Sequence, residues 1–493
     1  MRNFLLLLVA TLILLLPAVA GAQITFERWY GGIDHDEGYS VVQTTDSGYI
    51  ITGSTSSVGP GDWDVYLIKT DASGDTLWTR TYGGFDWDYG YSVAQTTDGG
   101  YIITGWSLSY SASEDVYLIK TNASGDTLWT RTYGGTNNDW GNSVAQTTDG
   151  GYIIAGWTYS YGAGGDVYLI KTNASGDTLW TRTYGGTDID WGNSVAQTTD
   201  DGFIIAGYTY SYGASEDVYL IKTNSLGDTL WTRTYGGTNN DWGNSVAQTT
   251  DGGYIIAGWT DSYGTGGDVY LIKTNASGDT LWTRTYGGTI YDEGNSVART
   301  TDGGYIITGD TYSYGAGGDD VYLVKTDSLG ETLWTRTCGA TDLDKGYSVA
   351  QTFDGGYIIT GYTRSYGAGN GDVYLIKTDA NGNVGVEEKK DQRPKTRDLR
   401  LFAHPNPFTK KTVIRYSSLV INDQLPISQF PISLSIYDVS GRLLKSFVTG
   451  DLCSGALMWN GRDNAGNQVE NGVYFIRLAS GDYLSVKKLI LLR

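Results

Sequence analysis

Only two cysteines and two histidines stand in the 493 residues of this chain. Cys338 and Cys453 lie in different segments, so no disulfide framework exists, and each reads as an unpaired small apolar residue. His35 and His404 belong to no recognisable catalytic arrangement. Proline is scarce as well, at seven residues beside 70 glycines, 39 tyrosines and 16 tryptophans. That balance excludes a proline-rich disordered chain and argues for many short strands joined by turns. Positive charge is thin in the body: residues 23–386 carry 17 basic against 44 acidic side chains, whereas 16 basic meet 10 acidic from Glu387 onward. Such an acidic body repels phosphate backbones, so no nucleic-acid partner is expected. Long apolar runs are confined to Phe4 to Leu16. With Arg2 before it, Pro17 after it and Ala20 and Ala22 ahead of Gln23, this run reads as a secretory signal peptide over 1–22. No comparable run follows, so the mature chain is expected to have no membrane span.

What the chain has in abundance is repetition. Close copies of Asp166-Val-Tyr-Leu-Ile-Lys-Thr-Asn-Ala-Ser-Gly-Asp-Thr-Leu-Trp180 recur with a period of about 51 residues. Each unit holds four strand-like pieces, as in Ser143-Val-Ala-Gln, Tyr152-Ile-Ile-Ala, Val167-Tyr-Leu-Ile and Leu179-Trp-Thr-Arg, which is the content of one β-propeller blade. The Tyr-Ile-Ile and Val-Tyr-Leu elements each occur seven times, so seven blades are expected over 23–386. Six tryptophan strands follow the first six Val-Tyr-Leu strands, and the seventh has none. The missing strand stands at the other end, as Phe26-Glu-Arg-Trp-Tyr. The ring is therefore expected to close by pairing residues 24–30 with residues 372–378, which also removes exposed edges. An open solenoid is the alternative. Ser-Val-Ala-Gln, smallest in volume, is expected nearest the axis, with the tryptophan strand outermost. Tight turns then share one face of the disc and the longer connections share the other.

At Gly385 the composition breaks. Residues 387–398 read as a charged linker, and residues 399–493 as a small antiparallel β-sandwich of alternating strands. His404-Pro-Asn-Pro-Phe408, Tyr437-Asp-Val-Ser-Gly-Arg442 and Val486-Lys-Lys-Leu-Ile resemble the type A C-terminal sorting domain of the type IX secretion system. Trp459-Asn-Gly-Arg-Asp463 with Gly466 and Gly472-Val-Tyr474 is similar to the Ig-like domain of flagellar hook-capping proteins. The stretch Val420 to Phe430 departs from that pattern as an insertion. The resemblance implies export through the secretion machinery to the medium or the outer cell surface.

Three motifs bear on function. The loop leading into several blades reads Asp-x-Asp-x-Gly, at Asp34/Asp36, Asp86/Asp88, Asp188/Asp190 and Asp342/Asp344. Spaced carboxylates before a glycine suit calcium, the one cofactor the pattern admits; the alternative is aspartates that satisfy loop amides. Asp71-Ala-Ser-Gly-Asp-Thr-Leu-Trp78 loosely resembles the tryptophan-docking repeat of quinoprotein-type propellers and the Asp box of sialidases. Its spacing matches neither, so tryptophans packed between blades are expected instead. The third motif is aromatic: Trp106, Trp157, Tyr208, Trp259 and Tyr362 follow the second strand, and Trp140, Trp191 and Trp242 precede the first. Tryptophan, glutamate and lysine exchange at one of these positions, which suits partial exposure. Together these features point to a non-catalytic binding or adhesion protein for glycans or other surface polymers. A secreted glycan hydrolase or lyase, and a structural spacer, are the alternatives.

Overall fold

Strands that are apolar on both faces need cover on both faces, and stacking of blades supplies it. The computed structural model describes residues 23–384 except 214 and 368, and residues 397–492 except 405, 421–432, 440–441, 449–453 and 481–482. The signal-peptide reading, most of the charged linker, the insertion after Val420, and Cys453 lie outside the described residues. Strand β1 (Phe26–Tyr30) itself stands apart, while β2 (Asp36–Gln43), β3 (Tyr49–Thr55), β4 (Asp64–Thr70) and β5 (Thr76–Tyr82) form one antiparallel sheet. Strands β3 and β4 are buried along their whole length, whereas β5 exposes Thr76, Leu77 and Thr79. Six sheets follow this order, and the pattern yields a seven-bladed propeller.

The seventh sheet completes the ring. Strands β26 (Asp344–Gln351), β27 (Tyr357–Thr363) and β28 (Asp372–Thr378) take β1 as their fourth member. The register runs from Phe26 opposite Lys377 to Tyr30 opposite Val373, within the expected segments. Phe26 fills the place of a tryptophan, 2% exposed and edge-on to Tyr49 of the first blade at 6.0 Å.

Packing between blades is both apolar and polar. Ile50, Val65 and Leu67 of the first blade interlock with Tyr101, Ile103 and Tyr117 of the second, and equivalent clusters follow around the ring. The first strands of adjacent blades touch one another all the way round, which places them at the axis. There the serine of each first strand accepts the backbone N–H of the next blade's valine, as from Val93 to Ser40 and from Val144 to Ser92. Farther out, the Trp78 indole packs on Gly125 and Arg80 lies over its ring, 5.4 Å from the centroid. The tryptophans thus lie between blades, as their strand order requires. Each third strand also buries a lysine against the aspartate of the first turn, as in Lys171–Asp149 at 2.8 Å.

The second unit spans Glu388–Arg493. It pairs a three-stranded sheet of β29 (Arg397–His404), β30 (Thr412–Val420) and β33 (Ser454–Trp459) with a four-stranded one. The latter holds β32 (Leu443–Val448), β31 (Ser433–Asp438), β34 (Gly472–Ser480) and β35 (Tyr483–Leu491). Phe408, Ile414, Trp459, Tyr474 and Leu489 fill the space between.

Candidate functional site

Antiparallel register brings the two aromatic series together. Trp140 lies opposite Trp157, Trp191 opposite Tyr208, Trp242 opposite Trp259, and Tyr89 opposite Trp106. A bulge follows each of these pairs: the ladder shifts between Gly141 and Ser143 and at the same place in every blade. Bulges re-aim the strand locally, and here they separate the aromatic mouth from the serine–valine ring below. Ser57, in the connection after β3, bonds Asp36 and the Asp34 amide in the loop before β2. The two longer connections of a blade therefore share a face.

On that face the rings form one continuous arc. Tyr362 stacks on His35 at 5.7 Å, and His35 lies 6.1 Å from Trp63, which stacks on Tyr89 at 5.3 Å. Tyr89 stacks on Trp106 at 4.7 Å and Trp106 on Trp140 at 5.7 Å. Trp157 stacks on Trp191 at 4.7 Å; Tyr208, Trp242 and Trp259 continue the line to Tyr291. Offset ring pairs at these spacings are mutually favourable. His35 and Tyr291, which share one repeat position, and Trp63 stand outside the two aromatic series that the repeats make plain.

Partial exposure is found for only part of the arc. Trp106, Trp157 and Tyr362 are buried, at 5%, 4% and 4% exposure, because neighbouring rings and loops cover them. Trp140, Trp191, Tyr208, Trp242 and Trp259 are half-buried. Glu114 of the second blade holds the Trp140 indole N–H at 2.6 Å, and Glu216 of the fourth holds that of Trp242.

The arc stops where the repeat changes. Glu293, Asp310, Asp319 and Lys345 occupy the gap, with Lys345 Nζ 3.2 Å from Asp310 and 3.4 Å from Asp319. Asn295 donates to Asp310 and Asn244 to Glu293. Burial pushes the Asp310 carboxyl up to about 7 against the opposing pull of Lys345.

The paired aspartates part company. Asp34, Asp86, Asp188 and Asp342 are exposed, and their backbone amides donate to serine hydroxyls. Asp36, Asp88, Asp190 and Asp344 are fully buried. Each accepts the amide of the residue four places earlier and a serine hydroxyl, as Asp36 does from Gly32 at 2.8 Å and Ser57 at 2.6 Å. The two carboxylates of a pair are therefore not presented together to an ion. Among the described residues, no group of three or more His, Cys, Asp or Glu is arranged to hold a metal ion. The buried aspartates instead meet a second series across each junction: a side chain begun at Gly83 would strike both Asp64 and Asp88.

Residues 403–492 match the secretion system C-terminal sorting domain family. Regulatory protein FlaEY of Caulobacter vibrioides is 27% identical over 281 residues, which are 49% of this chain. The chain spans only 28% of that relative's length. Among solved structures, PorZ, an essential bacterial surface component of the type-IX secretion system of Porphyromonas gingivalis, is 12% identical with a TM-score of 0.42. That match covers 94% of this chain and 60% of PorZ. The Neurospora crassa Pan2 WD40 domain is 9% identical with a TM-score of 0.42, over 71% of this chain and 91% of that one. A puromycin hydrolase is 13% identical at the same TM-score, over 82% and 63%. The sorting domain marks this chain for the secretion machinery and for the outer cell surface. No helix among the described residues is long and apolar enough to cross a membrane.

Proposed function

We propose that the propeller is a non-catalytic binding or adhesion module, displayed outside the cell and directed to glycans or other surface polymers. One observation carries this reading: an arc of stacked aromatic rings runs over one face, with Trp140, Trp191, Trp242 and Trp259 only half-buried. Flat apolar rings beside polar loop groups suit a sugar ring, whose faces are apolar and whose rim carries hydroxyls. Loops held on a rigid scaffold are a common place for such contacts. The acidic body, with net charge −20 over the whole chain, disfavours polyanions. A glycan array probed with the full mature chain tests the reading. Retention on neutral glycans, lost when Trp191 is replaced by alanine, supports it; retention on none overturns it.

A second reading, a glycan hydrolase or lyase, draws on Asp310, whose raised carboxyl stands among Glu293, Asp319 and Lys345. Two carboxylates in distinct environments are what such chemistry needs. Asp310 is 1% exposed and paired with Lys345, which suits a structural ion pair better. Release of reducing ends from a retained glycan decides in favour of the enzyme.

A further inference from the structure

Three blades place an acid just before their third strand: Glu114 precedes Asp115, Glu216 precedes Asp217, and Asp319 precedes Asp320. Two of these acids are matched within the protein. Glu216 accepts the Trp242 indole N–H on one carboxylate oxygen and the Tyr210 hydroxyl on the other. Asp319 faces the ammonium of Lys345 at 3.4 Å, and Lys345 stands at the repeat position of Trp140 and Trp242. Glu114 is different. Its Oε2 accepts the Trp140 indole N–H at 2.6 Å and the Asn138 amide at 3.0 Å. Among the described residues no donor reaches its Oε1, and no lysine or arginine pairs with it. Leu108 accounts for this: it occupies the position that Tyr210 holds in the fourth blade, and it has no hydroxyl to give.

Where that tyrosine is missing, the surface is hollow. An open cavity of about 600 Å³ is lined by Leu108, Ser113, Glu114, Asn137, Asn138 and Tyr159, a volume that suits a small ligand. Its wall is rich in acceptors. Asn137 and Asn138 turn their amide groups to protein acceptors, the Tyr159 carbonyl at 3.2 Å and Glu114, while their side-chain carbonyls receive no donor. The Ser113 hydroxyl is directed to Asp115 at 3.5 Å. A carboxylate only accepts and an ammonium only donates, so the group that complements Glu114 Oε1 is a positive donor. The protein itself makes that match once, between Lys345 and Asp319. Tyr159, 44% exposed, adds an aromatic ring that suits the C–H face of a sugar and a cation alike.

We propose that this cavity, at the junction of the second and third blades, binds an amino sugar with a free amine, carried on a surface polysaccharide. The inference rests on the glycan-binding reading above and narrows it to one place and one ligand class. The ammonium donates to Glu114 Oε1, the sugar hydroxyls donate to the Asn137 and Asn138 carbonyls, and the ring packs on Tyr159 and Leu108. Acceptors spread over three side chains exceed what a lysine side chain uses with its single donor group; a sugar ring brings hydroxyls as well. The acidic body, with 17 basic against 44 acidic side chains over 23–386, draws a polycation in. In the fourth blade the Tyr210 hydroxyl already holds Glu216, so this is a single site.

Calorimetry on residues 23–493 tests this with a glucosamine hexamer, an N-acetylglucosamine hexamer and a lysine hexapeptide, at a pH where the amines are charged. The expected result is one glucosamine hexamer per chain, with the acetylated hexamer about 10-fold weaker or more for want of the charged donor. Glu114→Gln should weaken the glucosamine hexamer by about 10-fold or more. Leu108→Tyr builds the fourth blade's arrangement into the second. It should abolish amine binding without lowering the melting temperature, which separates loss of the site from loss of the fold. Glucosamine binding that survives both substitutions overturns the site, and equal binding of the two hexamers overturns the ligand class; the glycan reading stands in either case. Preference for the lysine hexapeptide, lost in Leu108→Tyr, overturns the sugar in favour of a polypeptide partner. No binding of either hexamer overturns this inference alone where the glycan array retains other sugars, and both readings where it retains none.

Discussion

Ser348 Oγ accepts the backbone N–H of Val41 at 3.3 Å, although 307 residues separate them in the chain. This bond joins the last blade to the first at the axis and completes a circle in which each serine holds the next blade's valine. At the rim the closure depends on Phe26, which does for the seventh blade what tryptophan does for the others.

Phe26→Ala is therefore expected to destabilise the propeller by about 3 kcal/mol or more, the usual cost of emptying a buried aromatic site. Urea unfolding of residues 23–493 measures it. A loss no larger than that of an exposed substitution would show that the ring is held shut without this side chain.

Cys338 interrupts an outer circle. In other blades the tyrosine at this place donates its hydroxyl to the next blade's turn, as Tyr286 does to Gly330 at 2.8 Å and Tyr82 to Gly125 at 2.7 Å. Cys338→Tyr should restore that link to Gly382 and add roughly 1 kcal/mol. Lower stability than wild type would mean that this junction has repacked around the smaller residue. Burial pushes the Cys338 thiol up, so it should resist thiol reagents until the ring unfolds.

Two carboxylate series act in opposite directions with pH. Asp98, Asp149 and Asp251 are held at about 2 by bonds from threonine, lysine and backbone amides that outweigh their partial burial. A lowered folded value means the unfolded chain binds more protons, so their contribution is present above pH ~4 and fades as pH falls through about 2. Asp64, Asp88, Asp115, Asp166, Asp217, Asp268 and Asp320 are raised, chiefly by burial. There the folded chain binds more protons, so stability present below pH ~4 is lost as pH rises through the raised values. The melting temperature should peak near pH ~4 to 5 and decline toward neutrality. Asp166→Asn should flatten the decline, and an unchanged slope would remove the junction carboxylates as its cause.

Stacking also alters what the arc tryptophans do for the fold. Trp157→Ala should cost about 3 kcal/mol or more, because that ring is buried against Trp191 and Tyr159. Simultaneous loss of Trp140, Trp157, Trp191, Trp242 and Trp259 should lower the melting temperature, contrary to what exchange of residue types at these positions suggests. An unchanged melting temperature would show the arc to be a surface feature alone.

Removal of residues 399–493 should leave a folded propeller that no longer reaches the cell surface, because the sorting-domain match lies at 403–492. Fractionation with an antibody to the propeller reads this out. Undiminished surface display would reduce the second unit to an accessory sandwich.

Blade number, strand order and closure were legible in the sequence because they depend on local pattern and on counting: seven Tyr-Ile-Ile elements, six tryptophan strands, and a spare strand at Phe26. The outward face was legible too, since strand alternation decides on which side a connection emerges. The fates of individual polar and aromatic side chains were not. Asp34 and Asp36 look alike in a motif, yet one is exposed and the other fully buried, and only the neighbouring loop with Ser57 separates them. Trp140 and Trp157 occupy different segments until antiparallel register sets them opposite one another and the next blade lays Trp191 against both. Glu114 finds its indole in another blade. A repeat determines what each blade is by itself; contacts across blade junctions, such as Glu114–Trp140 at 26 positions apart or Val41–Ser348 at 307, were decided only when the ring closed.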